Sequence, residues 1–250
     1  ENIKLSKNFN ADKIEFKDLQ VNSYGGKSCW IQYEGKPILL QTPFMDVPYN
    51  ISEFEDKNSG EIKYSTNLSF RGMEDNTKIK HLYNEFVKLD ELLIKSAVKN
   101  SVKWFKSKYN EETVKAFYNP ILKKSKDKET GEPDGKFPDT FKIKLTMPGG
   151  KFSPTAAFNT KKEDLDLKEN ITKGAKIKAL VHIKAVWFSS GSFGITLHPY
   201  QLCIKPTSKI QGFAFIEDSD ESDNEEEETS VPKKIIESDD DSESSSDDSD

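Results

Sequence analysis

A mainly β fold with one inserted helical segment is what this sequence predicts, and three observations predict it. Short runs alternate apolar and polar residues, as in TFKIKLTM (140–147) and AKIKALVHIKAVWF (175–188). Glycine, proline, asparagine and aspartate punctuate the joints between such runs. Between residues 77 and 105 the apolar period changes from two to three and four, the signature of a helix.

The elements follow in order. In SCWIQYEGKPILLQT (28–42), Cys29, Ile31 and Tyr33 share one face, a turn follows at Gly35, and Ile38, Leu39 and Leu40 resume, so a hairpin is expected. Asn58-Ser59-Gly60 marks the next turn, between an extended run ending at Phe54 and one beginning near Glu61. Asn76 then caps a long amphipathic helix carrying Ile79, Leu82, Phe86, Leu89, Leu93 and Ala97, interrupted near Asn100. The helical insertion spans about residues 77–117 on this periodicity. FYNPILKKSK (117–126) leads through a turn-rich stretch to the strand at 140–147, where Phe141, Ile143 and Leu145 oppose Lys142 and Lys144. Residues 147–170 are rich in proline and glycine and are expected to form a long loop with at most one short helix. Two alternating runs joined by SSGS close the folded part. Short strands, long joints and one inserted helix fit a five-stranded OB-fold-like Greek-key barrel, with a β-sandwich carrying a helical hairpin as the alternative.

Charge divides the chain in two. Residues 217–250 hold 17 acidic residues and 2 lysines interleaved with serines, a composition that cannot bury enough surface to offset its ordering entropy, and they are expected to be a disordered acidic tail. Residues 1–216 then carry 35 Lys and Arg against 26 Asp and Glu, a net +9, within a whole chain of −6. A basic body of this kind fits a polyanionic partner, and the tail reads as an interaction segment.

Several function classes find no support. GGKS (25–28) lacks the glycine a phosphate-binding loop requires, because Val21 stands at its place. His81, His182 and His198 are spread too widely for a metal set, and no nucleophile has a base partner by spacing, so neither an enzyme, a metal nor a cofactor is expected. Cys29 and Cys203 stand alone and read as small apolar residues of a reducing compartment. No apolar run approaches the ~18 residues of a membrane span and no secretory signal is visible, which points to an intracellular protein.

The positive signal is aromatic rings among lysines. Single-stranded nucleic acid is held by a cationic groove that tracks phosphates and by rings on which bases stack. The chain has 16 Phe, 8 Tyr and 3 Trp, and the candidate contacts are Phe70 with Arg71, Tyr118 with Lys124, Lys142 and Lys144, and Lys178, His182 and Lys184 ahead of Trp187 and Phe188. Period two sends Trp187 inward with Ile183 and Ala185 and leaves Phe188 on the face of His182 and Lys184. A bulge would exchange the two rings, so both are candidates.

The order of these pieces, above all YNPILKKSK, FKIKL and KGAKIKALVHIKAVWFSSGSFGITLHPYQL followed by an acidic tail, resembles the single-stranded DNA-binding proteins of nucleocytoplasmic large DNA viruses. Those are similar to podophage single-stranded DNA-binding proteins with an OB fold. The resemblance covers residues 24–206 in layout and residues 173–202 in sequence. It implies a protein that coats exposed strands in DNA replication, recombination and repair at viral replication sites in the host cell, in a cytoplasmic factory or the nucleus. It also implies a tail that competes with DNA and contacts a polymerase, helicase or primase. Ser222, Ser238, Ser244 and Ser245 resemble acidophilic kinase sites that would add charge. The alternatives are an acidic-tailed chaperone or scaffold for basic proteins such as histones, and an RNA-binding OB-fold protein.

Overall fold

The chain folds as a mainly β structure with a mixed sheet and helices inserted between two of its strands. The computed structural model describes residues 2–57, 59–145 and 156–207. The expected tail and the boundary at residue 216 lie outside the described residues.

β1 (Ile3–Leu5) and two single 3-10 turns lead into β2 (Ile14–Val21) and β3 (Lys27–Tyr33), which pair antiparallel. Then follow β4 (Leu39–Gln41), β5 (Met45–Asp46), β6 (Ser52–Glu55) and β7 (Ile62–Ser69). The helical insertion comprises α1 (Thr77–Lys99), α2 (Ser101–Phe105) and α3 (Glu111–Phe117). The chain returns to β through β8 (Tyr118–Asn119), β9 (Leu122–Lys123), β10 (Thr140–Lys144) and β11 (Ala156–Phe158). A short α4 (Leu167–Asn170) precedes two long strands, β12 (Lys176–Ser189) and β13 (Ser192–Lys205).

Five pairings close a ring. Met45 of β5 faces Ile177 of β12, Asp46 faces Ser69 of β7, Thr66 of β7 faces Ile143 of β10, Ile143 lies beside Leu197 of β13 in parallel, and Leu197 faces Ile183 of β12. This closed order with one parallel contact is the OB-like barrel expected from the sequence. Its interior is what alternation dictates: Leu68, Phe141, Ile143, Ile177, Ala179, Val181 and Ile183 are all fully buried.

The helical insertion forms where its period required. Asn76 accepts from the backbone N–H groups of Lys78 at 3.1 Å and Ile79 at 3.3 Å, and the stripe from Ile79 to Ala97 is buried. Phe86 joins helix to barrel, standing 5.2 Å from Phe141 and 6.3 Å from Phe70 between ring centres. The interruption falls at Asn100, whose side chain donates to Ser96 O at 2.9 Å. A second clamp is the half-buried Asp90, which accepts from the Tyr118 hydroxyl and from the amides of Ile121 at 3.1 Å and Leu122 at 3.4 Å. It fixes YNPIL against α1.

Two expectations need correction. The arms of the hairpin at residues 28–42 part after the Glu34-Gly35 turn, where only Tyr33 and Lys36 bridge. β3 instead pairs β2 and β12, while β4 pairs β1 and β12, because β12 is long enough to take both arms as partners. Within the expected loop at 147–170, β11 lies parallel to β13, with Ala157 beside Leu202. Residues 146–155 are outside the described ones.

Candidate nucleic-acid interface

Each strand with one face in the barrel presents the other outward. On β10 the outward residues are Lys142 and Lys144, opposite Asn67 and Ser65 of β7. β6 extends this face, setting the exposed Phe54 opposite Lys63. On the other side of β10 come Thr196 and His198 of β13, then His182 and Lys184 of β12. A cleft of about 390 Å³ opens in this surface, lined among others by Phe54, Lys63, Lys123, Lys142, Lys144 and Trp187.

Trp187 reaches the cleft by an irregularity. The β12–β13 ladder runs to Ile183 opposite Leu197 and resumes at Val186 opposite Ile195, three steps on one strand against two on the other. This bulge shifts the phase of β12 by one residue. Val186, not Ala185, is fully buried. The expected orientation of the two rings is therefore reversed: Phe188 packs inward against Trp104, Phe105 and Phe193 at 5.3, 5.9 and 6.1 Å, and Trp187 lines the outer cleft.

The remaining candidates separate. Lys184 and Lys178 continue the outer face of β12, their ammonium groups 5.2 Å from the Trp30 ring centre and 4.6 Å from that of Phe44. His182 lies opposite His198 and lines a neighbouring cleft with Leu39 and Tyr200. Lys124 lines a groove between α1 and residues 118–126 that shares Asn119, Pro120 and Lys123 with the Trp187 cleft. Arg71 is exposed in the turn after β7. Phe70 is in the core and offers no face to a ligand, whereas Tyr118, half-buried with its hydroxyl held by Asp90, lines the groove of Lys124. Sequence reasoning missed Phe54 and Lys63, which become neighbours only through the β6–β7 register.

The electrostatics of this face are uneven, with Glu53 also lining the cleft. Among the described residues no carboxylate forms an ion pair with Lys142, Lys144 or Lys184, whereas Lys63 is held by Asp56 at 2.5 Å. Burial pushes the Lys123 ammonium below its ordinary pKa, with Lys142 and Lys126 adding to the effect against the pull of Asp90. His198 is pushed down to about 4, first by burial and then by Lys144, Lys184 and His182. His182 shifts the same way through burial and Lys184. Lys142, Lys144 and Lys184, without a carboxylate partner among the described residues, can take a negative partner from solution.

Other chemistry is not assembled. Among the described residues no three His, Cys, Asp or Glu side chains gather as a metal group. Cys29 is buried and its thiol is pushed up to about 11, foremost by desolvation, which leaves it protonated and unreactive at neutral pH. No described helix is long and apolar enough to cross a membrane.

No curated protein matches the sequence. Among solved structures, the chain is similar to gp2.5, a single-stranded DNA-binding protein encoded by bacteriophage T7, at 12% identity and a TM-score of 0.44, over 72% of this chain and 98% of that one. It is also similar to the single-stranded DNA-binding protein of bacteriophage Enc34, solved in complex with single-stranded DNA, at 12% identity and a TM-score of 0.42, over 78% and 98%. Residues 69–217 match the model of a family of unknown function, DUF5871, and the chain belongs to that family.

Proposed function

We propose that this protein binds single-stranded DNA along the outer face of β7, β10, β13 and β12, by base stacking on Trp187 and phosphate contacts from the lysines around it. The observation that carries the reading is the cleft in which one indole stands among Lys123, Lys142 and Lys144. A ring can stack only on a base that is free of its duplex neighbours, so this arrangement selects unpaired strands, while cations acting on phosphates are indifferent to sequence. Lys184 on Trp30 extends the cationic surface onto β12, where His182 stands opposite His198 of β13. Phe54 at the rim offers a second exposed ring.

In this reading the protein is a binder rather than an enzyme, one that coats exposed strands in replication, recombination and repair. The resemblance to single-stranded DNA-binding proteins of large DNA viruses supports that setting. The acidic residues 217–250 compete with DNA for the cationic face and serve as the contact for a polymerase, helicase or primase, with Ser222, Ser238, Ser244 and Ser245 as places where phosphate would strengthen the competition.

Titration of fluorescent oligo-dT, the matching duplex and the matching RNA at several salt concentrations tests the proposal. Tight, salt-sensitive binding of oligo-dT over duplex is expected. Preference for RNA would reassign the ligand, and failure to bind oligo-dT at low salt would overturn the reading.

A further inference from the structure

The candidate DNA face contains a pair of groups that lysines alone do not explain. His182 of β12 and His198 of β13 are directly opposite each other, which places their Cβ atoms about 4.5–5.5 Å apart on one side of the sheet. We propose that His182 and His198 form a phosphate subsite that takes up protons when single-stranded DNA binds. This deepens the proposed function and rests on it.

Two lysines face the pair. β10 contributes Lys144 and β12 contributes Lys184. Tyr200 and Leu39 line the cleft beside His182, as do Lys36 and Glu34 from the turn after β3. Glu34 is already engaged by Lys13 at 2.6 Å and Lys4 at 3.4 Å. Burial, with Lys184 and, for His198, Lys144 adding to it, lowers the pKa of both rings and favours the neutral imidazole, which has one N–H donor and one acceptor nitrogen.

A phosphodiester changes the balance. Its oxygens only accept hydrogen bonds, so an imidazole that presents its acceptor nitrogen is mismatched until it is protonated. The phosphate charge also offsets Lys144 and Lys184, relieving the repulsion that adds to burial in disfavouring the protonated rings. The bound pKa values then exceed the free ones. Protons are taken up on binding, and affinity rises as pH falls from above the bound values toward the free ones. If the rings were only structural fillers of the outer sheet face, DNA affinity would not follow their titration.

The test uses the full chain with fluorescent oligo-dT, whose bases do not titrate in the range, at one moderate salt concentration between about pH 8 and about pH 5.5. The affinity of the unaltered chain should rise about tenfold over that range if close to one proton is taken up near the lower end. The double variant His182→Gln/His198→Gln should change by no more than about twofold on the same linkage. In a parallel measurement by NMR on the unaltered chain, saturation with oligo-dT should raise the titration midpoints of His182 and His198. Equal pH dependence in a folded double variant, or unmoved midpoints on saturation, would overturn the subsite while leaving DNA binding in place. Absence of oligo-dT binding at neutral pH and low salt would overturn both. Should the double variant fail to fold, the midpoints decide.

Discussion

Trp187 lies against Gly194 across the β12–β13 ladder, where a Cβ on residue 194 would stand 3.1 Å from the indole Cζ2 and 2.7 Å from Asn119 O. The missing side chain is what lets the ring rest on the sheet and the chain of β8 approach beneath it. Trp187→Ala should weaken oligo-dT binding by about 1–3 kcal/mol, the range for one stacked base. Gly194→Ala should lower both Tm and affinity, because a backbone oxygen and a large ring must move together. Fluorescence titration and thermal melts of the two variants check this, and undiminished binding by Trp187→Ala would remove the stacking role.

Phe188→Ala should behave in the opposite way. The half-buried ring belongs to the cluster of Trp104, Phe105 and Phe193, and its truncation should cost about 1–3 kcal/mol, below the range for a fully buried phenylalanine. The expected outcome is a lower Tm and near-normal affinity in the fraction that stays folded. A strong loss of binding with an unchanged melt would return Phe188 to the groove.

Lys142 and Lys144 should report as phosphate contacts. For a single strand the slope of log K against log salt is about −0.7 per neutralised phosphate, so replacing both with alanine should make the slope shallower by about 1.4. The measurement is a salt series on one oligonucleotide. An unchanged slope would place the strand elsewhere on the molecule.

Asp90 should matter for stability. Asp90→Ala leaves the Tyr118 hydroxyl and the amides of Ile121 and Leu122 without their shared acceptor, at a cost of about 2–4 kcal/mol for buried donors losing a charged partner. Tyr118→Phe removes one of those bonds and should cost about 1 kcal/mol. Denaturant melts compare them. Equal losses would mean that the backbone amides carry nothing.

Truncation after Ile216 should raise affinity for single-stranded DNA, most at low salt. The 17 acidic residues that follow are tethered to a body of opposite charge, and the Debye length of about 10 Å at 0.1 M limits their reach at higher salt. Binding curves of full-length, truncated and phosphorylated chains on one oligonucleotide test this. Identical curves for the first two at low salt would confine the tail's role to protein partners.

What the residues disclosed depended on how local the cause was. The helix from Thr77 and its break at Asn100 were readable because capping and a three-to-four period act within one turn. The β12–β13 hairpin was readable because Ser190 and Gly191 both adopt positive φ, the turn that SSGS encodes. Trp187 and Phe188 exchanged faces because one extra residue between Ile183 and Val186 leaves no trace in composition. Phe70 and Tyr118 stand among basic residues in sequence, yet the direction of each ring is set by what packs on it from α1. The partition of β3 and β4 onto β12 is likewise a matter of distant pairing, without a local signal.

That distant pairing governs how the molecule comes into being. β12 takes β3, β4 and β5 as partners, and Lys176 reaches Asp46 across 130 positions of the chain. A ribosome delivers β12 only after three early strands have waited through the whole helical insertion with edges unpaired. Closing so long a loop is entropically slow to begin and profitable only once complete. The helices can therefore form on the emerging chain, whereas the barrel, and with it the surface that bears Trp187, comes together only once β12 has joined its early partners.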